Sequence, residues 1–160
     1  MTAFRAASPA DAVALRDLER DAGLAALGHI FPPDRYPYPE TAVLARWALV
    51  LDDPDVRVEV VEGEAGLDCV VAWDVGSVRH LAVRPDAWGS GLARQAMNRA
   101  LAGIAAGGLG RAVLWCLADN GRARGFYEHL GWRTTGREQE AGWPPYPTEV
   151  EYAAPTGAAV

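Results

Sequence analysis

Apolar positions recur along this chain with two different periods. Val56-Arg57-Val58-Glu59-Val60-Val61-Glu62 alternates, as a half-buried strand does, and Leu67 to Trp73 reads as a more apolar strand after the turn at 62–66. Asp74-Val75-Gly76-Ser77 turns the chain into a third run, Val78 to Val83, which Pro85 disfavours continuing. The period then changes. Leu92, Ala96, Ala100 and Ile104, joined by Ala93, Met97 and Leu101, form the apolar stripe of a helix. Arg111 to Leu117 is strand-like between the breaker run 107–110 and Ala118-Asp119-Asn120-Gly121, and Arg122 to Leu130 predicts a short helix closed by Gly131.

Towards the N-terminus, Phe4 to Ala7 predicts a strand, and Ser8-Pro9 opens a helix that runs to about Glu19 or beyond. The segment 23–39 is rich in Gly, Pro and aromatic residues, and helical spacing returns over Thr41 to Leu51. At the other end, Arg133 to Arg137 and Thr148 to Tyr152 predict two strands around a loop over 138–147, and 153–160 reads as a flexible tail. The order is β-α-α-β-β-β-α-β-α-β-β, with one domain expected over 1–152.

Composition narrows the function classes. A chain of 160 residues, half apolar and 22% charged, suits one globular domain. No apolar run approaches the roughly 18 residues of a membrane span, and the first residues lack a basic start followed by an apolar stretch, so a cytoplasmic protein is expected. Cys69 and Cys116 sit in apolar runs and read as reduced core residues, so neither a disulfide nor a metal site is expected. A formal net charge of -6 argues against a nucleic-acid partner.

The junction of the third strand-like run with the long helix carries the chemistry. Gly89-Ser90-Gly91 strips side chains from a helix start whose first amides are unpaired and partly positive, a natural seat for phosphate. The chain contains no lysine, which excludes the P-loop G-x-x-x-x-G-K-[ST]. Counting from Gly89, the sixth position is Arg94, which departs from the dinucleotide fingerprint. Taken alone, an ordinary βα turn remains an alternative for the two glycines.

Leu81-Ala82-Val83-Arg84-Pro85 followed by Trp88-Gly89-Ser90-Gly91-Leu92-Ala93 resembles motif A of the GNAT superfamily of acetyl-CoA-dependent N-acetyltransferases. Trp88 departs from the Gln or Arg usual at its place. The stretch 114–136 resembles motif B, with Asn120, Tyr127 and the closing Leu130-Gly131-Trp132 in the family's positions. The resemblance covers nearly the whole chain. It implies an α/β fold with a mixed, mostly antiparallel central sheet, whose fourth and fifth strands run parallel and splay apart.

The resemblance also implies roles. Leu81, Ala82 and Val83 would pair with the pantetheine arm of acetyl-CoA, and Trp88 and Gly89 to Arg94 (Gly89, Ser90, Gly91, Leu92, Ala93, Arg94) would line the pyrophosphate seat. A backbone amide in the gap would favour the oxyanion that forms during attack. Arg122 and Arg124 are weaker candidates for the ribose phosphate, with solvated helix charges as the alternative.

Tyr127 takes the place near the departing sulfur. Full proton donation from a tyrosine near pKa 10 to a thiolate near 8.5 is uphill by about 2 kcal/mol, so a steadying hydrogen bond is as good an account. Packing beside Phe126 is the alternative for Tyr127, and helix capping for Asn120.

A base is also needed, because an ammonium near pKa 10 is only about one part in a thousand neutral at pH 7. Where some family members carry glutamate on the fifth strand, this chain has Trp115. His80 is the leading candidate because it lies on the central strand beside the expected carbonyl and an ordinary imidazole titrates near neutrality, a packed or solvated strand histidine being the alternative, with Asp74, His29 and Glu149 behind it. The segment at 23–39 would line the acceptor pocket, a surface loop being the alternative. The expected activity is acetyl transfer to a small-molecule or peptide amine, with no metal and a homodimer left open. A non-catalytic acyl-CoA sensor is the alternative.

Overall fold

The computed structural model describes residues 3–157. Its elements are β1 (Phe4–Ala6), α1 (Ala12–Ala26), α2 (Glu40–Asp52), β2 (Arg57–Gly63), β3 (Gly66–Trp73), β4 (Val78–Val83), α3 (Leu92–Ala106), β5 (Arg111–Leu117), α4 (Gly121–His129), β6 (Arg133–Glu140) and β7 (Thr148–Pro155). The order is the one the periodicity predicts, with 3-10 turns before α1 and α3.

Side-chain alternation explains the layering. On β3, Val70 and Ala72 face α1 and α2, where they meet Leu15, Leu18, Val43, Trp47 and Val50. Cys69, Val71 and Trp73 point the other way, into the core beneath α3 with Ala96, Met97, Ala100 and Ile104. A strand covered on both faces loses its polar alternation, which is why 67–73 is the most apolar of the three early strand runs. Gly103 lets α3 come close, since a Cβ there would lie 2.4 Å from the Trp73 indole nitrogen.

Two antiparallel ladders result, in the orders β1-β2-β3-β4 and β5-β7-β6. They meet at one parallel bridge, Ser77 with Val113, where the Val113 N–H donates to the Gly76 carbonyl at 3.1 Å. Beyond that rung β4 and β5 diverge, and the splay predicted for the fourth and fifth strands is present.

The differences from expectation lie at element ends. Polar Arg133 to Glu140 continues as strand because Glu138, Gln139 and Glu140 pair with Val150, Glu149 and Thr148 of β7; backbone pairing overrides the polar sequence. Gly136, with φ +89°, sits in the interruption of that register between Thr134 and Glu138. Ala153, Ala154 and Pro155 are strand and not tail: they pair with Val113, Ala112 and Arg111, and Ala154 is buried. The last tail positions, 158–160, lie outside the described residues.

Candidate active site

The divergence of β4 and β5 leaves β4 without a ladder partner on one edge after Val78, while its other edge is held by β3 through Leu81–Val71, Ala82–Val70 and Val83–Cys69. A groove of about 560 Å³ opens there. Leu81, Ala82 and Val83 form one side, Gly89, Gly91, Leu92, Ala93 and Arg94 close one end, and Asn120 and Tyr127 stand opposite. Two motifs far apart in sequence therefore line one cleft.

Gly89 and Gly91 have φ of +79° and +88°, a left-handed backbone that glycine adopts without strain. Nothing lies within 4 Å of where a Gly89 Cβ would stand, so the cradle is open. The amides of Leu92, Ala93 and Arg94 have no carbonyl four residues back within α3, and all three residues line the groove at the positive end of the helix. An anionic diphosphate fits this seat. Ser90 is the exception among the expected binding residues: its hydroxyl donates to the Ala87 carbonyl at 2.5 Å, and it does not line the groove.

Trp88 lines the groove in its own way. Its indole N–H donates to the Val83 carbonyl at 2.8 Å, tying the glycine turn to the end of β4. The Arg122 guanidinium lies over its ring, 3.7 Å from the centroid, and Arg122 also lines the groove. Arg124 does not: it donates to the Tyr152 hydroxyl at 2.9 Å and the Ala118 carbonyl at 3.1 Å, holding α4 on the second ladder.

The gap between β4 and β5 continues the groove inward as a cavity of about 280 Å³. Tyr127 borders both spaces. Burial, and after it the nearby Cys116, pushes its hydroxyl pKa up, so Tyr127 is a neutral donor at physiological pH. No described residue hydrogen-bonds that hydroxyl. Asn120 also borders both spaces, and its side-chain oxygen accepts the Ala123 N–H at 3.2 Å as the cap of α4.

His80 borders the inner gap and not the groove, with its ring 4.7 Å from that of Trp47. Burial, then the charges of Arg46 and Arg79, push its imidazole down to about 3. The ionisation near neutrality that singled it out is lost, and the residue is a neutral packed ring. Asp74 is a turn residue: burial raises its pKa, but hydrogen bonds from Gly76 and Ser77 outweigh this and hold it below the ordinary range. His29 touches the Asp119 carbonyl at 2.9 Å, linking the segment after α1 to the turn before α4.

A third space of about 400 Å³ lies on the far side of α1. The Pro-rich segments at 23–39 and 141–147 supply its walls, including Phe31, Tyr36, Tyr38 and Trp143, and Glu149 and Leu117 sit where it meets the inner gap. Glu149 accepts a hydrogen bond from Gln139 at 2.8 Å and takes part in no ion pair among the described residues.

Glu19 borders all three spaces. It is bound by the Arg46 guanidinium and by the Trp47 indole at 3.0 Å. Sequence reasoning gave Glu19 no role, although its position four residues after the fully buried Leu15 sets it on the inward face of α1.

The sequence pattern of the Acetyltransferase (GNAT) family matches residues 15–132, which takes in the splayed strands, the glycine turn and the facing helix. The chain belongs to the GNAT acetyltransferase family. It is 31% identical to the mycothiol acetyltransferase of Beutenbergia cavernae over 118 residues, which is 61% of this chain but 38% of that protein, so it spans well under half of that relative's length. An acetyltransferase structure from Thermus thermophilus superposes with a TM-score of 0.73 at 21% identity, covering 97% of both chains. The PaiA N-acetyltransferase from Thermoplasma acidophilum, solved with coenzyme A, gives a TM-score of 0.72 at 14% identity over 94% of this chain and 98% of the other. At such identities these likenesses show the GNAT fold.

Proposed function

We propose that this protein is an N-acetyltransferase that moves the acetyl group of acetyl-CoA onto a primary amine by direct attack in a ternary complex. The observation that carries the reading is the continuous path from the glycine cradle, along the unpaired edge of β4, to the inner gap and on to the Pro-rich cavity. Donor and acceptor each have a space, and both adjoin the inner gap that Tyr127 and Glu149 border. The PaiA relative that carries coenzyme A shares this fold, which supports the cradle as the CoA seat.

In this reading the amides at the start of α3 hold the diphosphate, and β4 holds the pantetheine amides as an added strand. Tyr127 donates a hydrogen bond to the sulfur as the C–S bond breaks. Its raised pKa makes outright proton loss harder than in water, so its contribution is stabilisation of the thiolate. Glu149 takes over the role expected of His80. Standing where the acceptor space meets the gap, its carboxylate attracts the ammonium and receives its proton directly or through water.

The test is thiol release from acetyl-CoA across a panel of amines, beside calorimetry of CoA binding. Amine-dependent release is expected. Binding without release for any amine favours the non-catalytic sensor, and no binding ends both readings.

A further inference from the structure

We infer that the acceptor of this enzyme is a compact monoamine with an aromatic or branched apolar body, seated between the two Pro-rich segments with its nitrogen at Glu149. The inference rests on the N-acetyltransferase reading and adds the substrate class. The cavity holds about 400 Å³, small for a binding site and suited to a molecule the size of an arylalkylamine. Its wall combines Phe31, Tyr36, Tyr38 and Trp143 with the aliphatic side chains of Leu24 and Leu27.

Charge bookkeeping makes the cavity selective. Of the four charged residues bordering it, Glu19 and Arg46 neutralise each other. Arg35 is exposed, with its guanidinium 5.7 Å from the Tyr36 ring centroid. That leaves Glu149, whose hydrogen-bond partner is the neutral Gln139, as the half-buried carboxylate with no cation beside it. One unmatched anion receives one ammonium.

A polyamine would bring further cations into an apolar wall with no acid to meet them. An amino sugar would bring several hydroxyls to a cavity whose unpartnered buried polar atoms are the Tyr38 hydroxyl and Arg46 Nε, too few to meet them. The free carboxylate of an amino acid, one carbon from its amine, would be set against Glu149. An arylalkylamine meets none of these penalties, since its single charge sits at the acid and its ring against aromatic and proline faces.

The experiment measures acetylation of 2-phenylethylamine, tryptamine, phenylalanine, spermidine and glucosamine by the full chain with acetyl-CoA. The two arylalkylamines are expected to exceed each of the other three in kcat/KM by about tenfold or more, the discrimination a shaped apolar pocket provides. Trp143→Ala is expected to raise KM for 2-phenylethylamine about tenfold with KM for acetyl-CoA unchanged, which also shows that the variant is folded. Turnover that favours spermidine, glucosamine or phenylalanine overturns the inference and leaves the N-acetyltransferase reading standing. Coenzyme A binding with no turnover of any amine overturns both.

Discussion

The Arg122 guanidinium stacks on the Trp88 indole at 3.7 Å, joining the segment before α3 to the first turn of α4 across the mouth of the groove. Trp88 stands where the family usually has Gln or Arg, so a cation delivered by α4 restores positive charge at that place from the other side. The indole is held by its bond to Val83, and the guanidinium rests on a fixed platform.

Arg122→Ala is therefore expected to weaken CoA binding about tenfold and to leave dephospho-CoA binding nearly unchanged, if the stacked cation reads the ribose phosphate. Arg124→Ala, which breaks the link to Tyr152, is expected to lower the melting temperature without changing that ratio. Calorimetry with the two ligands and thermal scans check both.

Gly91→Ala places a Cβ at φ +88°. The strain is about 1 kcal/mol, and the left-handed turn that aims the first amides of α3 is disturbed. A modest fall in stability with a larger loss of CoA affinity is expected. Equal losses of both, measured by urea unfolding and titration, would speak against the cradle.

Tyr127→Phe keeps the ring contacts with Phe126, Trp132 and Tyr152 and removes the hydroxyl. A fall in kcat of about a hundredfold is expected, with KM for acetyl-CoA little altered. Unchanged kcat would reduce Tyr127 to packing.

Stability should depend on pH through His80. Its folded pKa is pushed down to about 3, whereas the unfolded chain takes up a proton near 6.5. As pH falls through 6.5 the unfolded state binds a proton that the folded state refuses, so stability drops by roughly 2 kcal/mol between pH 7 and pH 5. Asp11, held below its ordinary pKa by Arg5, gives up its contribution only at lower pH, which keeps the window clear. His80→Phe should flatten the urea midpoint over that range. An unchanged slope would show that the imidazole titrates freely.

The pattern of apolar positions revealed every helix and strand of this fold because burial on one face or two is written directly into 67–73 and 92–104. Strand ends were less visible. Glu138 to Glu140 and Ala153 to Pro155 are held by rungs to neighbours that no local pattern specifies. That Gly89, Gly91 to Arg94, Asn120 and Tyr127 would line one groove was legible, since glycine and capping residues declare their backbone needs. The Ser90 hydroxyl turns back to the Ala87 carbonyl, a local bond that the glycine spacing does not reveal. Among the candidate bases an ordinary imidazole pKa set His80 ahead of Glu149, and the Trp47 ring and the burial that push His80 down come from contacts distant in sequence. Glu19 becomes conspicuous because three cavities share it, and Glu149 because two do.

The solitary rung between Ser77 and Val113 makes the protein two plates joined at one corner. Past that corner no ladder fixes how far the plates stand apart; the spacing belongs to the side chains of α3 that wedge beneath both. Leu81, Leu114 and Cys116 border the slit, so its width is a property of interchangeable side chains and can change while the backbone stays the same.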